Sequence, residues 1–288
     1  MQILVSGLIF GCIYGLAALG LVLIYKTTDI VNFAQGEMAM VTTFVSFVFL
    51  TQFELGYFIS FILALLFGAI FGTVVHQLIM KRVQSAPHLN QIVVTLGLFM
   101  IFNGAAGLIW GHKPTGYPQA IQGNSIQIGN VFITPNEIFV IVLTIVLMLI
   151  FFVLFRFTKI GLAMRASSQD IKASQLMGIK VTTVFTATWA VGAILGGVAG
   201  MMTAPITFLD THMMADVLIM AFAAAVLGGF VSLPGALIGG IIIGIFGNLI
   251  SYYIAPEMKL VYTFLLIIIV LYIRPQGIFG GTQTVKKV

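Results

Sequence analysis

An all-α bundle that crosses a membrane many times is the fold class this sequence predicts, and three observations predict it. Of the 288 residues, 60% are hydrophobic and only 7% are charged, against about 25% charged in a typical soluble domain. Apolar runs recur along the whole chain at close to the roughly 20 residues that cross about 30 Å of hydrocarbon. One long polar interruption, Arg156 to Lys180, sets five basic residues against Asp170 and so holds most of the net charge of +5. Short loops that keep Lys and Arg are cytoplasmic. The chain reads as one membrane domain over residues 1–288, with a cytoplasmic loop at 156–180 that docks a partner. The basic excess is a topology signal and does not point to nucleic acid.

The first span is expected from Ile3 to Tyr25, with Gly7, Gly11 and Gly15 at the four-residue spacing that lets another helix approach closely. It opens without a basic leader and runs into further spans, so it reads as a permanent helix and not a removable signal. Cys12, the only cysteine, excludes an intrachain disulfide. The polar run KTTDIVNFAQGE, Lys26 to Glu37, then precedes Met38 to Leu50. At 13 residues that piece is too short for a perpendicular span and suggests a broken or re-entrant helix. A long helix from Leu55 to Met80 ends at Lys81 and Arg82 on the cytoplasmic side. Leu89 to Trp110 crosses outward to a Gly-, Pro- and Asn-rich segment, Gly111 to Pro135. In it, SIQIGNVFIT carries the alternation and Gly-Asn turn of a small hairpin.

Asn136 to Phe155 returns to the basic loop. Thr182 to Met202 rises again, with Pro205 as its expected end, and leads to an outer loop holding Asp210, His212 and Asp216. A short apolar piece, Val217 to Val231, breaks at Leu233-Pro234-Gly235. Ala236 to Ile254 and Leu260 to Ile273 complete the set, and Arg274 with Lys286 and Lys287 places the C-terminus in the cytoplasm. Nine apolar segments result, three of them short, for eight or nine membrane segments in all. Each half sets an acidic residue and a short segment (Glu37, Asp216) before a Gly-rich helix, and the two helices run oppositely. That is the pattern of an inverted repeat.

Within the loop, Ser167-x-x-Asp170 has the form of a capping box, and Gly178 supplies a C-terminal stop. A helix from Ser168 to Met177 is expected, with Ala173, Leu176 and Met177 on one face. Eight to ten residues do not hold a helix alone in water, so that face needs a partner. No phosphate-binding loop, H-E-x-x-H or G-x-S-x-G occurs, so the chain carries no familiar site for hydrolysing ATP and no enzyme signature. Asp210, His212 and Asp216 read as solvated surface, and His76, His88 and His112 as interfacial. Polar residues at membrane depth are costly and mark pathways; the candidates are Asn32, Gln35, Glu37, Thr95, Asn103 and Asn248, with Glu37 divided between a gating role and fixing a helix break.

The stretch GLIFGCIYGLAALGLVLIYKTTDIVNFAQGEMAM, with its I-x-N-F-A-x-G-E pattern from Ile30 to Glu37, and the loop RASSQDIKASQLMGI resemble the permease subunits of branched-chain amino acid ABC importers, of the high-affinity leucine/isoleucine/valine type. The resemblance runs over the full length. It implies a bacterial inner-membrane permease without its own ATPase and without a cofactor. The implied partners are a second homologous permease, two ABC ATPase subunits on the cytoplasmic side and an external or periplasmic substrate-binding protein. Ser167 to Gly178 then resembles the coupling helix that seats on the ATPase. Related permeases for urea, amides or simple sugars are the alternative within the class. An ATPase-independent channel or secondary transporter would leave the self-capped loop helix without a partner, and an intramembrane enzyme lacks a nucleophile with its base.

Overall fold

The computed structural model describes residues 1–84, 86–129 and 131–280. The expected turn residue Asn130 and the pair Lys286 and Lys287 lie outside the described residues. Among the described residues, seven helices are long and apolar enough to cross a membrane. They include α1 (Gln2–Thr28), α5 (His88–Trp110), α6 (Pro135–Phe157), α9 (Val181–Thr207) and α11 (Leu233–Tyr253). A further span is formed by α3 (Tyr57–Val75), which continues through a π-helical turn, His76–Met80, into α4 (Lys81–Val83). The last, Pro256–Ile273, is built on α12 (Lys259–Ile273). Two shorter helices, α2 (Gln35–Thr51) and α10 (Ala215–Gly228), bring the apolar segments to the nine read from the sequence.

α1 and α9 are the buried posts of the bundle; the faces of α5, α6 and α12 are left largely to lipid. The glycine ladder explains why α1 is central. A Cβ on Gly11 would stand 2.7 Å from Ile241 Cα, and one on Gly7 would stand 2.8 Å from Ile245 Cα. Backbone therefore lies on backbone between α1 and α11, the close approach that small residues permit where no hydrophobic force joins helices in lipid. Gly11→Val is expected to overpack this seam by about 3 kcal/mol, and its yield of monodisperse protein in mild detergent would fall well below that of wild type. A wild-type elution profile and melting temperature would remove the seam from the fold's stability.

The inverted repeat is plain in three dimensions. Gln2 at the start of α1 exchanges hydrogen bonds with the backbone of Phe132, while Leu209 just beyond α9 bridges Thr115. The start of α1 and the end of α9 thus meet the same outer segment, and the two 27-residue helices run antiparallel. α1, α2 and α3 correspond to α9, α10 and α11. Each half lends helices to the other: α2 and α3 pack on α9, and α10 and α11 pack on α1. Repeats so interlocked cannot separate without opening the core.

Several boundaries move. α2 starts three residues before Met38, because Asn32 turns the chain ahead of it. α9 runs through Pro205 to Thr207. Proline in a last turn loses only its own bond to the carbonyl four residues back, so the helix continues for two residues beyond it. α11 begins at Leu233, with the Ser232 side chain accepting from Gly235 N and Pro234 in the first turn, where its missing N–H costs nothing. The outer hairpin forms as β1 (Ile126–Ile128) and β2 (Val131–Ile133), paired antiparallel.

The histidines divide. His88 is exposed and 3.7 Å from the Asp29 carboxylate, and His112 Nδ1 meets Thr211 Oγ1 at 3.1 Å. His76, expected at the interface, is buried instead: its Nδ1 pairs with Thr186 Oγ1 at 2.9 Å and its ring packs by Phe185 and Trp189. The π turn rotates the end of α3 toward α9, and a satisfied imidazole then fits where an unpaired one would not.

Candidate functional site

Two places carry the chemistry, and the first is where the half-length helices begin. α2 starts beside the middle of α9: Gln35 Nε2 donates to the Gly192 carbonyl at 2.7 Å, and the Thr43 hydroxyl lies against Gly200. α2 therefore covers only the outer half of the bundle. It ends near the outer segment, where Ser46 Oγ and Tyr117 Oη are 2.8 Å apart. Burial of Tyr117, itself part of that segment, pushes its phenol up to about 12. α10 begins against α2, with Met214 and Leu218 packed on Gly36, and runs the opposite way. Its last carbonyls, Leu227 and Gly228, accept from Ile278 and Phe279 N–H. Two helix N-termini thus meet, each with an acid in its first turn, the buried Glu37 and the exposed Asp216.

The turn into α2 is built by Asn32. Its Oδ1 accepts from Ala34 N at 3.1 Å, an Asx turn, and its Nδ2 donates to Gln35 Oε1 at 3.1 Å. Glu37, 3% exposed, accepts from Asn103 Nδ2 at 3.2 Å, and that amide also donates to the Thr211 carbonyl at 2.8 Å. One amide on α5 therefore ties the start of α2 to the turn before α10. Thr95 Oγ1 lies 2.9 Å from Ile92 O and 3.3 Å from Val31 O, holding the strand-like entry to α2. Asn32, Gln35 and Glu37 cluster at the start of α2, flanked by two positions of α5 that lie about 12 Å apart along that helix: Thr95 beside Val31 and Asn103 on Glu37. Asn248 does not join them: its Nδ2 donates to Ile3 O at 3.2 Å, in a cavity at the outer end of α1 with Gln2, Ser6 and Tyr252. The Thr211 and Gly192 carbonyls carry no sequence signal as acceptors, because no side-chain pattern reports a main-chain oxygen; Gly192 reads only as one of the small residues of a close-packing face.

The polar loop is the second place, and it holds two helices where one was expected. Thr158 caps α7 (Lys159–Gln169) by accepting from Gly161 N at 3.1 Å. Asp170 then ends α7 and caps α8 (Ile171–Leu176), its Oδ1 accepting from Ala173 N at 2.9 Å. Ser167 is therefore no cap. It lies buried on the inner face of α7 with Met164, three residues apart, and its hydroxyl has no partner among the described residues. The expected start at Ser168 fails because Asp170 adopts extended backbone, which breaks the helix there. Gly178 does stop α8: it takes φ 82°, and Gly178 N and Ile179 N return to the carbonyls of Gln175 and Ser174. Ser174 turns inward, while Ala173, Leu176 and Met177 face out, the last two 89% and 83% exposed. The signal for α7 was present as Thr158 three residues before Gly161; a Cβ at 161 would collide with the carbonyls of Leu154 and Phe155.

Paired half-helices inside an interlocked inverted repeat, with an apolar helix tip held out on a charged loop, define a multi-pass membrane transport protein. Residues 3–271 match the family described as branched-chain amino acid transport system / permease component, and the chain belongs to that family. Among its relatives, the high-affinity branched-chain amino acid transport system permease protein LivH of Escherichia coli (strain K12) is 28% identical, over 99% of this chain and 97% of that protein. A probable branched-chain amino acid transport permease protein LivH of Methanocaldococcus jannaschii is 33% identical, over 97% and 92%. The solved PsaBC from Streptococcus pneumoniae, in complex with Fab, aligns at a TM-score of 0.50 with 15% identity, covering 96% of this chain and 91% of that one, and so shares the fold.

Proposed function

We propose that this chain is the membrane-spanning subunit of an ABC importer that carries branched-chain, hydrophobic amino acids into the cytoplasm. ATPase subunits on the loop face supply the energy, a second homologous permease completes the pathway, and an external binding protein delivers the solute. The observation that carries this is the exposed tip of α8. Leu176 and Met177 stand in water at the end of a short, doubly capped helix, and a chain of the permease family needs an energy-supplying partner there. The bacterial inner membrane is its expected location.

Charge supports the orientation. Lys26, Lys81, Arg82 and Arg274 end helices on the same face as the loop, and Lys113 and Lys259 lie toward the other. By the positive-inside rule the loop face and the C-terminal segment are cytoplasmic. Force has a short route from that face. Only residues 177–180 separate α8 from α9, and α9 holds α2 through the Gln35 amide on Gly192 O. A push on α8 tilts α9, and α2 and its crossing with α10 move with it. Chemistry is left to the ATPase; the permease contributes binding and motion. Glu37, Asn103 and Thr211 serve as the latch that couples the two half-helices.

The test is uptake by the reconstituted complex. Labelled leucine is expected to enter vesicles only with ATP and the binding protein, while urea and ribose stay outside. Uptake of ribose or urea in place of leucine would move the substrate to another class, and leucine entry without any ATPase would sink the importer reading.

A further inference from the structure

The bundle carries a cavity of about 460 Å³ on the loop face, between the last turns of α1 and α6 and the body of α7. Three cations line it, Lys26, Arg156 and Arg165, and no acidic residue does. Each is held in place. Lys26 Nζ sits 5.3 Å from the Phe155 ring centre, and the Arg156 guanidinium carbon lies 5.7 Å and 5.9 Å from the rings of Phe152 and Phe157. Arg165 Nη2 donates to Arg156 O at 3.2 Å, while its Nε is buried without a hydrogen-bond partner among the described residues. Like charges gathered beside apolar walls repel, and a buried guanidinium N–H left unpaired is costly. Lysine and arginine in a last helical turn do favour the negative helix end, which accounts for Lys26 and Arg156 singly. It accounts neither for Arg165, in the middle of α7, nor for the cavity they share.

We propose that this cavity binds the phosphate headgroup of an anionic phospholipid. The phosphate would meet the three cations and accept from Arg165 Nε, and its acyl chains would run down the apolar wall along α6. Two features favour a lipid over a free anion. Phe152 and Phe157 are 46% and 72% exposed on the outer side of α6, so the cavity opens toward hydrocarbon as well as toward water. The cations also stand at the end of a membrane-spanning helix, at headgroup depth, where basic pockets between helices take anionic heads. The reading of the loop face as cytoplasmic fixes only which leaflet supplies the lipid; the headgroup chemistry stands without it.

Native mass spectrometry of the purified permease in neutral detergent tests this without any transport assay, so its failure is distinct from failure of the importer reading. Phosphatidylglycerol is expected to be retained at least tenfold over phosphatidylcholine. The triple variant K26Q/R156Q/R165Q should lose that preference, and inorganic phosphate at equal concentration should not displace the lipid. Equal retention of the two lipids by the wild type would overturn the proposal, and displacement by inorganic phosphate would make this a free-anion site instead. Should the triple variant misfold, Arg156→Gln alone, at an exposed side chain, is expected to cut the preference at least threefold; an unchanged preference there overturns the proposal equally.

Discussion

Replacing Leu176 and Met177 together by aspartate is expected to abolish association with the ATPase and uptake, while the chain still inserts and folds. The folding half follows from exposure: neither side chain packs within the chain, so a polar replacement removes no intramolecular contact. The binding half follows from burial at the proposed interface. Covering a leucine or methionine is worth about 1.5–3 kcal/mol each, and seating carboxylates in the same apolar groove adds a desolvation cost. A loss of about 4 kcal/mol lowers affinity roughly a thousandfold. Copurification of the ATPase with the solubilised permease reads the result. Normal copurification by the double variant would remove α8 from the coupling interface and leave its exposed tip without a role.

Glu37→Ala is expected to cut uptake by about an order of magnitude with assembly retained, while Glu37→Gln keeps most of it. The Glu37 carboxylate accepts one arm of the Asn103 amide, and the same amide reaches the Thr211 carbonyl before α10. Alanine frees the start of α2 from that tie and leaves buried donor capacity on Asn103, at about 1–3 kcal/mol. Glutamine keeps an acceptor oxygen in the same place. The comparison separates a positional role from a charge role: equal losses in both variants would mean that the negative charge itself is used. Wild-type uptake in the alanine variant would reduce Glu37 to filler at a helix start.

Much of this protein was legible in one dimension. Membrane residence, nine apolar segments, the basic loop face, the outer hairpin and the stop at Gly178 all follow from local composition and backbone chemistry, which act over a few residues. The Asn32 to Glu37 run announced a special site for the same reason: asparagine, glutamine and glutamate at membrane depth must be satisfied by something. What that something is could not be read. Gln35 pairs with the carbonyl of Gly192, 157 positions away, and Asn103 with that of Thr211, 108 positions away. Main-chain acceptors look alike in every sequence, so only packing chooses them.

The loop shows the same division at short range. Asp170 and Ser167 both suit a helix start, and the sequence alone favoured Ser167 as the cap. Tertiary packing decided otherwise, because Thr158 had already begun α7, whose inner face needs Gly161, Met164 and Ser167 against the bundle. The sequence by itself determined that this is a membrane bundle with one charged face and a helix tip seeking a partner, since those are properties of residue types. Only the tertiary structure decided that two half-helices meet at its centre, and that Lys26 shares one cavity with Arg156 and Arg165, 130 and 139 positions further along the chain. Such meetings depend on which antiparallel helices the glycine seams allow to touch, and that is settled by close packing over the whole chain.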